Sequence, residues 1–580
     1  MSEAAQLGAR ESGPRADEAR ARGRAPSAIC VDEEAHVWRA RLLLVLFFLA
    51  CVLPGFFTLP VIDRDEARFA QATRQMVESG DFITPRLGDE PRYKKPIGIY
   101  WLQAAAVEMT GMGAQAPIWA YRIPSLLAAC LAVLLTHAVG LRLFGARAAF
   151  WGAILLAACI VLGGESRLAK TDATLLACAV AGQFVLARLY LARGERLALS
   201  WPLLFWGAMG ASILIKGPIA PMLAAFTAIG VSLWDRDWRW LKGLRPLVGV
   251  PLMLAIVLPW LIAIAAHSGA DFFHEAIGKD LLGKVAAGQE SHGAPPGAHL
   301  AAFLVIFWPG AALAVSAIPW VWANRAEPAV RFCLAWIVPF WIVFELTATK
   351  LPHYTLPAYP AIALLAGAAL ASGRLDRPSW WMRTLVVMAA VGGIVSGLAL
   401  AGAFYWFESR VPAEAVVLAI LAAAIGAIVI WQAVRASMAS AYRVLLAQAI
   451  VLYTLGFGVV APRLDLLWTS PRLAAAIAAD VACPDPQVMV AGFSEASLLF
   501  DIGTGTQTGG GAQAADFLAG PGCRVAVVDE RQRPGFDARL AELGHAARTL
   551  DTVKGLNLGN GRLLTLDLLV APDGAGTKGP

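Results

Sequence analysis

The sequence predicts an all-α polytopic membrane domain of about 13 transmembrane helices, followed by a small extracytoplasmic α/β domain at the C-terminus. Three observations lead to this fold class. The chain is 58% hydrophobic and 16% charged, with a mean hydropathy of +0.61, whereas soluble proteins carry roughly 25% charged residues. Apolar runs recur at lengths that cross a bilayer, which takes about 20 residues of helix. After residue 461 this pattern gives way to short strands and helices.

Thirteen apolar segments follow one another along the chain. They lie at 40–60, 118–141, 148–164, 172–192, 201–215, 218–234, 247–267, 299–322, 329–347, 355–372, 380–405, 411–434 and 441–460. Lys216, Gly217 and Pro218 interrupt the pattern and divide the stretch 201–234 into two segments. Basic residues cluster in alternate connections, so the positive-inside rule places the N-terminus in the cytoplasm. Thirteen spans then leave residues 61–101, residues 268–298 and the C-terminus on the opposite side.

The segments divide the chain into three predicted parts. Residues 1–38 lack an apolar core and predict a disordered cytoplasmic tail. Residues 39–461 form the transmembrane domain and residues 462–580 the extracytoplasmic α/β domain. Within the latter, the pattern predicts buried strands at 487–493 and 523–530, a helix at 533–544, and a hairpin around Gly559, Asn560 and Gly561. The glycine-rich stretch 503–513 does not match a phosphate-binding motif and predicts a flexible loop.

Charge and cysteine content exclude some functions. The net charge of +6 is spread over short loops, as is typical of membrane orientation, so it does not indicate nucleic-acid binding. The eight cysteines show no metal-ligand spacing. Cys483 and Cys523 fall in the predicted extracytoplasmic domain, where an oxidising compartment would allow them to pair.

The first outer loop, residues 61–101, is crowded with seven acidic and seven basic residues. Asp63 or Asp65 is placed to cap a short amphipathic helix, and Gly80 is placed to end it. A capping role would stabilise the Asp65 carboxylate and make it a poorer base, whereas burial beside Glu66 would make it a better one. The residues alone leave both interpretations open.

Three further charged groups fall at the same predicted membrane face. They are Glu165, Arg167, Lys170 and Asp172 before the fourth span, Lys216 at a span break, and Glu345, Lys350, His353 and Tyr354 beside a proline-interrupted segment. Ionisable groups at membrane depth cost a few kcal/mol each and by default indicate function. Any one of them could be a paired or snorkelling residue. Four groups on one face favour a site for an anionic lipid headgroup and an acid–base step.

Four motifs carry a resemblance to a known family. They are DEARFAQATRQMVESGDFITPRLGDEPRYKKPIGIYWL, SRLAKTDATLL, IKGPIAP and ATKLPHYTLPAYPAIALLAG, in that order. Together they resemble bacterial membrane glycosyltransferases related to aminoarabinose transferase and the protein O-mannosyltransferases, over about residues 40–375. The resemblance implies the C-type glycosyltransferase fold and a polyprenyl-phosphate-linked sugar as donor. It also implies an integral protein of the bacterial plasma (inner) membrane, with the active site on the periplasmic side and a lipid A, glycan or protein acceptor.

The resemblance also implies roles for individual residues. Asp65 matches the catalytic acidic residue of the first loop and would act as general base on the acceptor hydroxyl, or bind and orient that hydroxyl, with Glu66 beside it and Asp172 shaping the site. Lys95 and Lys216 match positions expected at the donor phosphate. The other substrate-binding residues that we predict on this basis are Arg68, Arg86, Lys94, Arg167, Lys279, Lys350, His353 and Tyr354.

Two departures from the family pattern bear on cofactor and substrate. Aminoarabinose transferases carry Glu-Lys where this chain has Lys94-Lys95, and that glutamate helps to hold a metal. A charged lysine cannot do so, and the resemblance therefore does not carry over a divalent metal; His274, His292 and His299 leave another metal site open. The phosphate-binding arginine also lacks a clear counterpart in residues 268–298, where Lys279 and Lys284 are the candidates. Both departures argue against transfer of aminoarabinose to lipid A.

A transporter or flippase of a lipid-linked anion is the alternative function. Such proteins typically have inverted repeats and unwound helices at the membrane centre. This sequence shows no repeat, and its charges collect at one face. A structural or assembly subunit, the third possibility, would leave the acids of the first loop dispensable. The sequence therefore favours a glycosyltransferase that also contacts membrane lipids.

Overall fold

The computed structural model describes residues 27–195, 197–283 and 293–572. Our predictions for the tail up to residue 26, for Lys284 and for His292 concern residues outside these ranges. The described chain consists of apolar helices up to Arg463 and of alternating strands and short helices beyond it. The first helix, Ser27–Val52, begins well before the apolar segment that we predicted at 40–60.

Every predicted apolar segment contains helix. The helices of this part of the chain are Ser27–Val52, Gly98–Met109, Ile118–Leu143, Ala146–Ala157, Ile160–Ser166, Asp172–Leu191, Ser200–Lys216, Ile219–Asp235, Pro246–Ser268, Ala298–Ile306, Ala311–Ala323, Pro328–Leu346, Tyr359–Ala371, Trp380–Glu408, Ala413–Arg435 and Met438–Val451. Among described residues, eight helices are long and apolar enough to cross a membrane, or up to ten if each bent pair is one span. The all-α membrane fold is confirmed, with fewer full-length spans than the thirteen predicted.

Two interruptions of these helices place residues that matter below. Gly217 has φ +73°, so the chain turns between Ser200–Lys216 and Ile219–Asp235, where the sequence predicted the break. Lys216 is therefore the last residue of its helix. The pair Ala146–Ala157 and Ile160–Ser166 bends by 61°, and the second, shorter helix carries Glu165 near its end.

The first outer loop contains the helix Asp65–Ser79, which we call the loop helix. Its N-cap is Arg64, and no side chain caps it, so the predicted capping by Asp63 or Asp65 is wrong. Its end is as predicted, because Gly80 adopts the left-handed conformation and donates its N–H to Met76 O. Two short strands, β1 (Arg86–Leu87) and β2 (Glu90–Pro91), then form an antiparallel hairpin.

The second outer segment, residues 268–298, begins with helix. Residues Asp271–Phe273 are α-helical, and the chain continues as a π-helix over His274–Leu282. Phe272 is buried against Trp260 and Tyr93, with ring centroids 5.1 and 6.0 Å apart. These aromatic contacts hold the start of the segment against the first outer loop.

The C-terminal part, which we call the outer domain, is a mixed sheet with helices on both faces. Its strands are β3 (Gln487–Ala491), β4 (Gln507–Gly509), β5 (Arg524–Asp529), β6 (Arg548–Asn557) and β7 (Arg562–Val570), in the order β4-β3-β5-β7-β6. Strand β3 runs parallel to β4 and β5, whereas β7 runs antiparallel to β5 and β6. The helices are Thr469–Asp480, Ala496–Asp501, Gly511–Leu518 and Arg533–Glu542. The predicted strands, helix and hairpin of this α/β domain are present.

The glycine-rich stretch 503–513 is not the flexible loop that its composition predicted. It forms edge strand β4 and the first turn of the helix Gly511–Leu518. A Cβ atom on Gly511 would lie 2.2 Å from Gln532 O, and one on Gly509 would lie 2.6 Å from Met489 Cε. The contact at Gly511 is with backbone and requires glycine for close packing, whereas the end of the Met489 side chain could move away from a Cβ at Gly509.

Cys483 and Cys523 form a disulfide in the outer domain, with their Cα atoms 6.3 Å apart. The bridge joins the chain that follows the helix Thr469–Asp480 to the chain that precedes β5. It therefore ties the first helix of the domain to the centre of the sheet.

Candidate active site

A group of five ionisable side chains lies at the meeting point of three helix ends. Glu165 lies one residue before the end of one helix, and Asp172 begins the next helix, with Lys170 two residues before it. Lys216 is the last residue of a third helix, and His353 lies in the 3₁₀ turn Pro352–Ala358. We call these five residues the charge cluster. All five come from positions that the sequence predicted to converge, although they are separated by up to 188 residues along the chain.

Two lysines and two carboxylates balance the charge of the cluster. Lys216 Nζ lies 2.5 Å from Asp172 Oδ1, and Lys170 Nζ lies 3.0 Å from Glu165 Oε1. Lys170 Nζ is also 3.6 Å from Asp172 Oδ2. Because each lysine is buried or nearly so, these ion pairs act in a medium of low dielectric, where charge–charge contacts are strong.

His353 lies between the two carboxylates. Its Nδ1 is 3.5 Å from Glu165 Oε1, and its Nε2 is 3.6 Å from Asp172 Oδ1. Both distances exceed those of a good hydrogen bond. The ring of Tyr354 follows directly and lies 5.5 Å from Lys216 Nζ, within the range of a cation–π contact. The imidazole is thus close to both acids but held firmly by neither.

The charge cluster is incompletely satisfied. Glu165 Oε2 is buried and has no hydrogen-bond partner among the described residues. Buried polar atoms usually have partners, and an exception invites a functional explanation. The unpaired oxygen and the long imidazole contacts together leave the cluster able to accept a ligand group or to rearrange around one.

Asp65 is the first residue of the loop helix and is only partly buried. Burial alone would lower the pKa of Lys170, but the charges of Glu165, Asp172 and Asp65 outweigh it and raise that pKa above its usual value. Asp65 therefore lies within electrostatic reach of the charge cluster. With no capping role, its carboxylate is available for chemistry at the edge of the cluster.

Glu66, predicted to be catalytic beside Asp65, has a different environment. Its carboxylate receives Arg122 Nε at 2.8 Å and Arg122 Nη2 at 2.9 Å. It also accepts the backbone N–H groups of Ala169 and Ile62, each at 2.9 Å. Four donors occupy the oxygens of a side chain that is 2% exposed. This geometry favours a positioning role for Glu66 over a role as base.

Arg122 completes this assembly, and our sequence reasoning missed it. It is fully buried in the helix Ile118–Leu143 and donates to the carbonyl oxygens of Phe56, Leu59 and Pro60 at 2.8–3.1 Å. We call Arg122 and Glu66 the anchor pair. The signal was in the sequence, because an arginine inside an apolar segment needs a partner.

Two predicted substrate-binding cations hold the backbone instead. Arg167 donates to Pro54 O at 3.0 Å, to Gly163 O at 2.7 Å and to Cys51 O, and its guanidinium lies 4.7 Å from the Phe457 ring. Lys350 donates to Glu345 O at 3.0 Å and to Thr347 O at 2.5 Å. Lysine on the last carbonyls of a helix is a common C-terminal cap. For both residues the geometry favours a structural role.

No described ion pair joins the remaining predicted cations to the charge cluster. Arg86, Lys94 and Lys279 are exposed, and Lys95 is partly buried. Arg68 faces the outer domain, where its charge acts on Glu495. The structure therefore gathers Asp172, Lys216, His353 and Tyr354 into one site, and the charge of Asp65 acts on Lys170 of the same cluster.

Three side chains of the charge cluster have the spacing of a candidate metal site. Ligand atoms of Glu165, Asp172 and His353 lie within 4.8 Å of one another. However, Lys170 and Lys216 already pair with the two carboxylates. A divalent ion there would face two ammonium groups, so these residues do not fit a resident metal. Of the histidines left open by the sequence, His274 is exposed and His299 is buried, and neither belongs to this group.

Comparison with known proteins agrees with this architecture. The sequence profile of the dolichyl-phosphate-mannose-protein mannosyltransferase family matches residues 94–262. An undecaprenyl phosphate-alpha-4-amino-4-deoxy-L-arabinose arabinosyl transferase of Pseudomonas paraeruginosa is 31% identical over 309 residues, which are 53% of this chain and 55% of that protein. A transferase with the same description from Pseudomonas fluorescens is 29% identical over 340 residues, 58% of this chain and 60% of that protein. The chain thus spans little more than half the length of the curated relatives it matches.

Solved structures extend the likeness to nearly the whole fold. The apo crystal structure of ArnT from Cupriavidus metallidurans has a TM-score of 0.67 at 20% identity, covering 93% of this chain and 98% of that one. The archaeal oligosaccharyltransferase AglB from Archaeoglobus fulgidus has a TM-score of 0.51 at 12% identity, covering 92% and 74%. At these identities the likeness concerns the fold. The chain therefore has the fold of these membrane proteins, and its sequence is similar to the mannosyltransferase family over residues 94–262 and to the arabinosyl transferases over about half of its length.

Proposed function

We propose that this integral membrane protein transfers a sugar from a polyprenyl-phosphate donor to a hydroxyl or phosphate group of an envelope acceptor. The observation that carries the proposal is the charge cluster itself, with the charge of Asp65 acting on Lys170. Asp65 makes no side-chain cap to its helix in the described chain, and the cluster contains two buried or nearly buried lysines that can change partners. An acid–base step and an anionic leaving group need this pair of features.

The proposed reaction has one bond made and one broken. Asp65 takes the proton of the acceptor hydroxyl. The oxygen of that hydroxyl attacks the anomeric carbon of the sugar. The bond from that carbon to the phosphate oxygen breaks, and polyprenyl phosphate leaves as a stable anion. No nucleotide is consumed, and none of these steps requires a metal.

The charge cluster would stabilise the leaving phosphate. Lys216 pairs with Asp172 at 2.5 Å and lies at a helix end, so a phosphate oxygen could replace or share that carboxylate. Lys170 and His353 remain near Asp172 at 3.6 Å and can compensate for the exchange. Charge-assisted hydrogen bonds of this kind strengthen as negative charge develops. Tyr354 and Lys95 would line the same space.

We propose that the site faces the non-cytoplasmic side of the bacterial plasma membrane. The outer domain contains the disulfide Cys483–Cys523, and disulfides persist in oxidising compartments. This domain packs on the loop helix, so both belong to one face of the membrane domain. The distribution of basic residues supports the same orientation. In this arrangement residues 39–461 carry the chemistry and residues 462–580 lie outside the membrane.

The acceptor is proposed only as a class, a lipid, glycan or protein of the envelope. The relatives are named for an aminoarabinose donor. Lys94 departs from the Glu-Lys pair of the family pattern that the first outer loop resembles, and its side chain is exposed. This difference favours a sugar other than aminoarabinose.

The proposal is tested by transfer assays on the purified protein in lipid. Radiolabelled polyprenyl-phosphate sugars are supplied with envelope lipids, glycans and proteins, and labelled acceptor is measured. We expect transfer by the wild type and a loss of about 10²- to 10⁴-fold in Asp65→Asn, the usual contribution of a general base. Asp89→Asn, an exposed acid of the same loop, is the matched control. Movement of the lipid across the bilayer without any transfer would instead support a flippase.

A further inference from the structure

The two residues on either side of Asp65 are held by different parts of the molecule. Glu66 is fixed from the membrane domain through Arg122. Arg64 is fixed from the outer domain, because its Nη2 donates to Gly559 O in the turn between β6 and β7. Asp65 therefore lies between two residues that are held by hydrogen bonds, Glu66 from the membrane domain and Arg64 from the outer domain.

The backbone at Arg64 is in an unusual conformation. Its φ is 71° and its ψ is −116°, in a region that side chains other than glycine rarely adopt. Such a conformation costs of order 1–3 kcal/mol and persists only where the surroundings enforce it, often at active sites. It sets the direction in which the chain enters the loop helix, and hence the position of Asp65.

The turn that holds Arg64 is closed by hydrogen bonds of its own. Asn557 Oδ1 accepts the N–H of Gly559 at 2.7 Å, and Asn557 O accepts the N–H of Gly561 at 2.8 Å. A Cβ atom on Gly559 would lie 2.5 Å from Glu495 Oε1, so this turn also packs closely on the chain before the helix Ala496–Asp501. The charge of Glu495 in turn faces both Arg64 and Arg68.

Further contacts keep the outer domain seated on the loop helix. Gln71 Nε2 donates to Thr504 Oγ1 at 2.9 Å, and Thr504 donates to Glu78 Oε2 at 3.0 Å. Arg74 donates to Phe500 O and stacks on the Phe500 ring, 4.0 Å from its centroid. The loss of the Arg64 contact would therefore leave the domain docked. Its effect should be confined to the start of the helix.

We propose that Arg64 is a positioning residue, through which the β6–β7 turn of the outer domain sets the place of the Asp65 carboxylate; this inference rests on the proposed transferase function. Arg64 does not contact substrate in this account. It acts by fixing the residue that follows it. A misplacement of about 1 Å in a reacting group can cost on the order of 100-fold in rate.

Transfer kinetics with double variants distinguish positioning from general stabilisation. We expect Arg64→Ala to lower kcat about 10- to 100-fold with KM for the donor within about twofold, and Arg64→Lys to recover part of the loss. In an Asp65→Asn background, Arg64→Ala should cost less than about twofold more, because the group it positions is gone. In an Asp172→Asn background it should still cost its full 10- to 100-fold. Equal losses in both backgrounds, or no loss in the single variant, would overturn the proposal.

Hydrogen exchange gives a readout that does not depend on activity. Arg64→Ala and Gly559→Ala should each speed amide exchange over residues 62–68, while exchange in β3 and β5 is unchanged. Arg548→Ala, at the opposite end of β6 and exposed, is the matched control. If the wild type transfers no sugar, the proposed function fails, and exchange over residues 62–68 still decides whether the turn holds the helix start. Unchanged exchange there would contradict the inference.

Discussion

The anchor pair and the charge cluster are two buried ionic assemblies that differ in how completely they are paired. In the anchor pair, four donors occupy Glu66, and Arg122 also binds three backbone carbonyls. In the charge cluster, one oxygen of Glu165 has no partner in the described chain, and His353 stays 3.5 Å or more from both acids. A saturated assembly holds a structure, whereas an under-satisfied one can bind or exchange a ligand.

This comparison shows why burial of a charge does not by itself identify a catalytic residue. Both assemblies consist of ionisable residues in an apolar part of the chain, so the sequence alone does not distinguish one from the other. The number of donors to each carboxylate separates them. Asp65 differs from both assemblies, since its side chain is only partly buried and does not cap the loop helix in the described structure.

The largest expected effect is on stability and concerns the anchor pair. Glu66→Gln leaves the Arg122 guanidinium buried without a counter-charge, and breaking a buried ion pair costs about 3–5 kcal/mol. Unfolding of the purified protein in mixed micelles would measure the loss. The double variant Glu66→Gln/Arg122→Met should be less destabilised than the sum of the two single variants. If the Glu66→Gln protein is as stable as the wild type but slow in transfer, Glu66 acts as a catalytic base and not as a positioning residue.

Substitution in the charge cluster should lower the transfer rate more than the stability. Lys216→Gln removes one cation, but Lys170 and His353 remain near Asp172, so we expect a stability loss of only about 1 kcal/mol. Transfer should fall about 10- to 100-fold because the leaving phosphate loses a positive partner. Steady-state kinetics with varied donor would measure it. A normal rate with strong destabilisation would make Lys216 a structural residue like Arg122.

A third prediction concerns pH and the contact between the outer domain and the loop helix. Burial raises the pKa of Asp63 to about 6, and burial together with the charge of Asp63 raises the pKa of Asp501 to about 8. A carboxyl group with a raised pKa in the folded state stabilises the fold at low pH, and this contribution is lost as pH rises through that value. Between pH 6 and 8 the wild type should therefore lose up to about 1 kcal/mol per pH unit.

The pH effect has a matched control. Asp501→Asn should flatten the fall in stability between pH 6 and 8, whereas Asp485→Asn, an exposed acid of the same domain, should leave it unchanged. Thermal unfolding followed across this pH range would measure both. A stability that rises with pH in this window would show that Asp501 is ionised and paired.

The smallest expected effect concerns the exposed rim. Arg86 was assigned to substrate binding from the sequence, but its side chain is exposed, and its hydrogen bond within the described chain is a 3.4 Å contact to Asp89 O. Arg86→Ala should therefore change transfer by less than about twofold, as for most exposed substitutions. Donor titration would measure this. Donor binding weakened by about tenfold or more would extend the site to the β1–β2 hairpin.

Much of the fold could be predicted because it depends on local patterns. Apolar runs fixed the helical segments, and the break at Gly217 was visible as a glycine–proline pair. The apolar runs of β3 and β5, and the turn residues Gly559, Asn560 and Gly561 between β6 and β7, predicted the strands of the outer sheet. The stretch 503–513 failed because its glycines are required by packing partners far away in sequence, such as Gln532.

The candidate site could be predicted only in part. The convergence of Asp172, Lys216 and His353 followed from assigning charges to one membrane face. The structural roles of Arg167 and Lys350 could not be predicted from the sequence, because it does not show which backbone carbonyls will lie near a cation. Arg122 was missed for a related reason, since its partner Glu66 lies 56 residues away in another helix.

One measurement tests the distinction between the two assemblies most directly. Glu66→Gln and Lys216→Gln are compared side by side for unfolding in mixed micelles and for sugar transfer at saturating donor. We predict that Glu66→Gln loses several-fold more stability than Lys216→Gln, while Lys216→Gln loses more of the transfer rate per folded molecule. The reverse order in both assays, with Glu66→Gln stable but inactive and Lys216→Gln unstable but active when folded, would contradict this account.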